Sequence, residues 1–355
     1  MKTKLILGIG VIAIIIGVIA CSKEKPTYND NKQTAFEYDL KSQIPYSKIT
    51  VRNKGYKGSK GSTQVLVFKD MASVNQTIDD LYRQVNEWNQ AFVEKYKDLN
   101  EEDRNMLEEE LGFDEQQPLI DFNKFYDFFS LYQKVSEDEK TWLQQTDPDF
   151  STNPDNHFVF QYSTRTILNT DCEVQVGDTL YKLTEDGYFA ISNKSMQTLA
   201  ILSTNPTNYQ YIPYVIFVGD ENEKAENCNS NKRKEGWLVN PNNDKCKINW
   251  VVSHWSHPWN RRCAAKIDNY KKSGSWKKYS TYCLARTYGF ISSVDGSGNA
   301  NCDKQFNFNP NNISESTTAK HVEHFISVQT KTKTGWIQSY FYGASGATCT
   351  KTLTW

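Results

Sequence analysis

Across its 355 residues the chain has no C-x-x-C pair, no G-x-S-x-G elbow, no Walker-type glycine loop, no H-E-x-x-H and no dinucleotide-binding glycine pattern. The motif-bearing routes to zinc-ribbon, serine-hydrolase, nucleotide and Rossmann chemistry are therefore missing. Histidine is scarce, at five residues, and the net charge is only −1. Two carboxylates serving glycoside hydrolysis are recognised by geometry and not by spacing along a sequence. These absences therefore leave carbohydrate hydrolysis open, while no cofactor and no metal are expected.

The small net charge hides a division. Residues 70–156 hold 22 Asp and Glu against 7 Lys and Arg, a net of −15, and residues 229–355 hold 18 Lys and Arg against 7 Asp and Glu, a net of +11. Such asymmetry between halves points to two units.

Two lysines within residues 1–4 precede an apolar run over residues 5–20 that stops at Cys21. This is the layout of a secretory signal peptide. At about 1.5 Å per residue the run makes a helix of roughly 24 Å, short of the ~30 Å hydrocarbon core, so a cleaved signal is expected in preference to a stable span. The tetrapeptide Val18-Ile19-Ala20-Cys21 resembles the lipobox of bacterial lipoproteins. That resemblance implies lipidation of the Cys21 thiol, cleavage before it and acylation of the new amino group. The alternative is an ordinary signal anchor with an incidental cysteine. Ser22 stands where aspartate would imply inner-membrane retention, so the family rule points to the outer membrane. The charged stretch Ser22-Lys23-Glu24-Lys25 also resembles a surface-export signal of some Gram-negative lipoproteins. Several acyl chains, at about 0.8 kcal/mol per buried methylene, make such an anchor effectively permanent.

The remaining chain reads as α+β. Residues 21–45 form a polar tether, 46–204 an acidic α+β domain, 205–249 a connecting segment and 250–355 a basic antiparallel β domain, a sandwich or barrel. In the acidic domain, Val74, Ile78, Leu81, Val85, Trp88 and Phe92 recur at helical spacing, with Ser73 and Gln76 as a capping box. A second helix ends at Gly112. A third is expected from Pro118 through Leu119, Phe122, Phe125, Phe129 and Tyr132, its aromatic stripe facing the core. Glu108, Glu109 and Glu110 point in different directions on the second helix and read as a solvated face. From Thr166 the period becomes two, with a hairpin at Asp186-Gly187. The stretch LNTDCEVQVGDTLYKLTEDGYF, residues 168–189, resembles a module of uncharacterised surface lipoproteins of Gram-negative commensal bacteria. The resemblance spans residues 63–192 and implies location without an activity.

In the basic domain, Cys263, Ala265 and Ile267 alternate with Lys266 and Asp268 across a strand. Beyond Cys21 seven cysteines remain. Cys228, Cys246, Cys263, Cys283, Cys302 and Cys349 suit three disulfides in an exported protein, with Cys172 left over and zinc as the competing use. Cys263 and Cys283 flank the turn near Gly274 and are expected to lie opposite one another on paired strands. His254 with His257, and His321 with His324, form H-x-x-H pairs in strand-like sequence, where residues three apart face opposite sides.

Seven of nine tryptophans fall in residues 237–355, beside basic clusters. Trp276, Lys277 and Lys278, in an exposed-looking turn, are candidate ligand contacts, through stacking and charge. The plainer alternative for each tryptophan is core or turn packing. Together these features point to a non-catalytic, lipid-anchored surface protein that binds a glycan or a partner protein. The alternative is a cell-surface hydrolase acting on carbohydrate. Nucleic acid is a poorer match for the same charge.

Overall fold

The computed structural model describes residues 49–53, 64–157, 161–184, 187–191, 215–219, 232–240, 243–256, 258–259, 261–279, 281–294, 304–308, 314–316, 322–326, 331–343 and 347–354. All of them belong to one compact unit, Asp39–Trp355. The expected signal, Cys21 and the tether lie outside the described residues.

Strands β1 (Thr50–Asn53) and β2 (Gln64–Phe68) lead into α1 (Met71–Lys95), α2 (Glu101–Leu111), α3 (Gln117–Tyr126), α4 (Leu131–Leu143) and α5 (Tyr162–Ile167). Between α4 and α5 run two short 3-10 turns, Phe150–Thr152 and Pro154–His157. Then come β3 (Glu173–Val176), β4 (Thr179–Leu183), β5 (Gly187–Ile191) and β6 (Val215–Gly219), completing a sheet of order β1-β2-β3-β4-β5-β6. Only β2 and β3 pair in parallel, through Val67↔Gln175 and Phe68↔Val176. All four residues of β3 are buried, as a strand covered on both faces requires.

The expected stripe of α1 is present: Val74, Ile78, Leu81, Trp88 and Phe92 are buried, and Val85 packs against the core. Its cap differs from expectation. Asp70 is the N-cap and accepts from the Ser73 backbone N–H (2.8 Å) and hydroxyl (2.7 Å), so Ser73 lies inside the helix. The capping box belongs to α4 instead, where Ser130 and Gln133 cap one another. Gly112 ends α2 in the left-handed conformation, φ 61°, as glycine at that position allows.

The expected third helix is two. Asp127 adopts φ 48° and ends α3, and α4 starts afresh after Ser130. The break turns part of the aromatic stripe outward. Leu119, Phe122 and Tyr132 are buried, but Phe125 and Phe129 are exposed. Thr166 and Ile167 close α5 and are not strand residues. The hairpin forms between β4 and β5, with Gly187 already the first strand residue.

The basic region builds two antiparallel sheets from β7 (Lys232–Asn240), β8 (Asn243–Ser256), β9 (Arg261–Ser273), β10 (Ser275–Lys278), β11 (Thr281–Val294), β12 (Lys304–Phe308), β13 (Ser314–Ser316), β14 (Val322–Ile326), β15 (Lys331–Gly343) and β16 (Ala347–Thr354). One has the order β10-β9-β8-β7 with β14 also on β9, the other β12-β11-β15-β16 with β13 also on β11. Neither path closes into a barrel among the described residues. The two sheets approach at Gly343, where an added Cβ would collide with Asn269 and lie 2.8 Å from atoms of Ile248 and Ile267. Glycine is needed there for lack of space.

Among the described cysteines Cys172, Cys246 and Cys349, no disulfide forms. Cys228 and Cys302 lie outside the described residues. Cys263 and Cys283 sit on strands of different sheets, so they are not opposed across one hairpin as expected: Cys263 pairs in register with His254 and His324, and Cys283 with Ser314. The intervening turn leads back along β9 through β10, and the chain then leaves for the other sheet.

Candidate functional site: a buried charge cluster

The expected alternation along β9 is present, and both of its faces are buried. Ala265, Ile267 and Asn269 lie towards the second antiparallel sheet, where Ile267 and Asn269 meet Gly343. Lys266, Asp268 and Tyr270 lie towards the helices and are as deeply buried, at 4, 0 and 0 % exposure. Buried charges without partners are costly, so the second face needs partners from elsewhere in the chain.

They come from the acidic half. The turn Pro154–His157 presents Asp155, α5 presents Tyr162 and Arg165, and α4 presents Glu139. Arg165 pairs with the Asp155 carboxylate and donates to the Asp155 carbonyl at 3.1 Å. Lys266 pairs with Asp155 and lies 2.9 Å from Asp268. Lys278, on β10, approaches Glu139 at 2.7 Å. Tyr270 donates its hydroxyl to Glu139 (2.8 Å) and accepts from Asn153 (2.9 Å). The Tyr162 hydroxyl stands 3.5 Å from both Asp155 and Asp268. Three carboxylates thus meet three cations, and polar side chains take up further hydrogen-bonding sites.

Burial sets the proton affinities. It raises the pKa of Tyr132, Tyr162 and Tyr270, with Asp114, Asp268 and Glu139 respectively the leading charges that add to the effect. It lowers that of Lys266, which Asp268 only partly offsets, and that of Arg165. Burial lowers Lys278 too, but Glu139 and the neighbouring phenols outweigh it, leaving Lys278 well above the usual lysine value. The phenols therefore stay neutral hydrogen-bonding groups through the physiological range, and Lys278 stays charged.

Beside the cluster lies an aromatic floor of Trp142, Phe150, Tyr270 and Trp276, all buried. Trp276 was expected to be exposed. It is 4 % exposed, because β10 folds back on β9 beneath α4 and Phe150. Lys277 forms an exposed ion pair with Glu109, which confirms the solvated face of α2, and Lys278 forms part of the cluster. Of the other tryptophans, Trp250 and Trp259 are buried, Trp259 in the core that α1 and β2 also line, whereas Trp237 is 45 % exposed.

One member of each histidine pair lies among the described residues. His254 and His324 flank Cys263 in register from β8 and β14, while His257 and His321 lie outside the described residues. Among the described residues no group of three or more His, Cys, Asp and Glu is placed to hold a metal ion, and no helix is long and apolar enough to cross a membrane.

No family model matches the chain, and no curated protein matches it. Among solved structures, a crystal structure of a DUF4848 family protein from Bacteroides thetaiotaomicron matches with a TM-score of 0.19 and 10% identity, over 82% of this chain and 97% of that one. A likeness at that score bears on neither fold nor function.

Proposed function

We propose that the chain is a lipid-anchored protein of a Gram-negative outer membrane, held through Cys21 and facing outward, whose folded part binds a glycan or a partner protein without catalysing a reaction. The observation that carries the non-catalytic part is the charge cluster. Each of its carboxylates, Asp155, Asp268 and Glu139, is held by a cation or a buried hydroxyl. Carboxylates so engaged act as struts between helices and sheet. The close approach at Gly343 supports reading the two antiparallel sheets as halves of a sandwich. Oxidation of Cys228, Cys263, Cys283 and Cys302 in an exported compartment belongs to the same reading.

Metabolic labelling with a fatty-acid analogue tests the anchor: the wild type should be marked and Cys21→Ser unmarked, and equal labelling of both contradicts it. A second reading, a cell-surface hydrolase acting on carbohydrate, draws on the convergence of Asp155 and Asp268 on the Tyr162 hydroxyl. Polysaccharide cleavage that disappears in a folded Asp268→Asn variant would favour the hydrolase.

A further inference from the structure

Beside the buried rings of Trp142, Phe150, Tyr270 and Trp276 stands an exposed one. Trp237, on β7, carries a large apolar ring at 45 % exposure and stands 6.3 Å from Phe150. Lys247, on the neighbouring β8, holds its ammonium 4.2 Å from the Phe150 ring centre, 4.5 Å from Trp276 and 5.1 Å from Trp237. Lys272, on β9, lies 5.8 Å from the Trp276 ring. Register places these residues on one face of the sheet: Trp237 opposes Asn249, two residues from Lys247, and Lys247 opposes Tyr270, two residues from Lys272. Trp276 opposes Lys272 from β10.

Unlike Lys266, Lys277 and Lys278, neither Lys247 nor Lys272 has a carboxylate within ion-pair distance among the described residues. Rings hold the Lys247 charge in place of an anion. Among the described residues its N–H donors meet no acceptor. Burial pushes its pKa down, and Lys272 adds to this, while Asp147 is the acidic group that opposes the shift. A half-exposed indole beside two cations with no anionic partner among the described residues matches a ligand with one flat apolar side and a carboxylate at its edge. A pyranose ring bearing a carboxylate has this form: its C–H face stacks on Trp237 and its carboxylate reaches Lys247 and Lys272.

We propose that Trp237, Lys247 and Lys272 form the binding site for a carboxylate-bearing sugar unit of an acidic polysaccharide. This deepens the binding reading above and rests on it. It also moves the contact away from Trp276, which is buried beneath the lysines, and from Lys277 and Lys278, which pair with Glu109 and Glu139.

The test uses the full chain in detergent micelles, titrated with polygalacturonate, alginate and hyaluronan, and with methyl-esterified forms of each that keep the backbone and mask the charge. At least one acidic polymer should bind, about tenfold more weakly once esterified, and more weakly as salt rises. Trp237→Ala, a change at an exposed ring, should weaken binding about tenfold. Lys272→Gln should weaken it several-fold and flatten the salt dependence, and circular dichroism should show both variants folded. Failure of all three acidic polymers overturns the site. So does equal binding by wild type and Trp237→Ala. Either result accompanied by binding of a neutral glycan or a protein removes this site alone and leaves the binding function standing. Cleavage of a polymer with no retained ligand removes both.

Discussion

The two faces of β9 are equally buried and are held by different physics. Towards the second antiparallel sheet, Ile267 and Asn269 lie against Gly343, where there is no room for a side chain, and Ala265 is buried on the same face. Towards the helices, Lys266 and Asp268 meet Asp155, with Lys278 and Glu139 beside them. At Ile267 the first face tolerates any apolar residue of the right volume. The second accepts only a matching set of charges, because each ion loses its water on burial and regains interactions only from named partners. The acidic and basic halves of the chain therefore meet in complementary fashion, and an opposition of −15 and +11 is partly spent inside the molecule.

Removing charge should distinguish the faces most strongly. Asp155→Ala leaves Arg165 and part of Lys266 buried without a counter-ion, and should cost about 3–5 kcal/mol in urea unfolding. Ile267→Ala should cost about 2–5 kcal/mol through the cavity it leaves. That loss should be the same at every pH where the protein is folded. If the Asp155 variant were as stable as wild type, the charged face would be ornamental.

The faces should also part at high pH. Tyr132, Tyr162, Tyr270 and Lys278 all have raised folded-state affinities for their protons. Above about pH 10 the unfolded chain releases protons that the folded chain keeps, so stability should fall as pH rises. Lys266 and Lys247, lowered in the fold, run the other way, but only between their folded pKa and the ordinary lysine value of about 10.4. Urea midpoints measured from about pH 10.5 to 12 should therefore decline, and Tyr162→Phe should decline less steeply. An unchanged slope would show that Tyr162 does not contribute. The smallest effect is expected at the exposed pair of Lys277 and Glu109, where Lys277→Ala should change stability by no more than about 0.5 kcal/mol.

Local patterns were legible in the sequence. The stripe of α1, the glycine stop at Gly112 and the alternation of residues 265–268 depend on neighbours three or four positions away, or two. The break at Asp127 was hidden because aspartate only occasionally adopts the left-handed conformation, whereas glycine announces it. Trp276 looked exposed because its turn is polar and short, and nothing nearby in sequence says that α4 covers it. The cluster was hidden for the same reason. Asp155 sits in a turn-like Pro-Asp-Asn stretch, and the Tyr162 hydroxyl meets Asp268 across 106 positions. Trp237, one of seven tryptophans in the basic region, was distinguished only by which rings the fold covers.

Buried charge joins the acidic and basic halves. A double-mutant cycle of Asp155→Asn and Lys266→Met, followed by urea unfolding, measures that joint directly. Each single change should destabilise and the pair should destabilise less than their sum, with a coupling of about 1–3 kcal/mol. Strictly additive effects would mean that Asp155 and Lys266 do not hold the halves together.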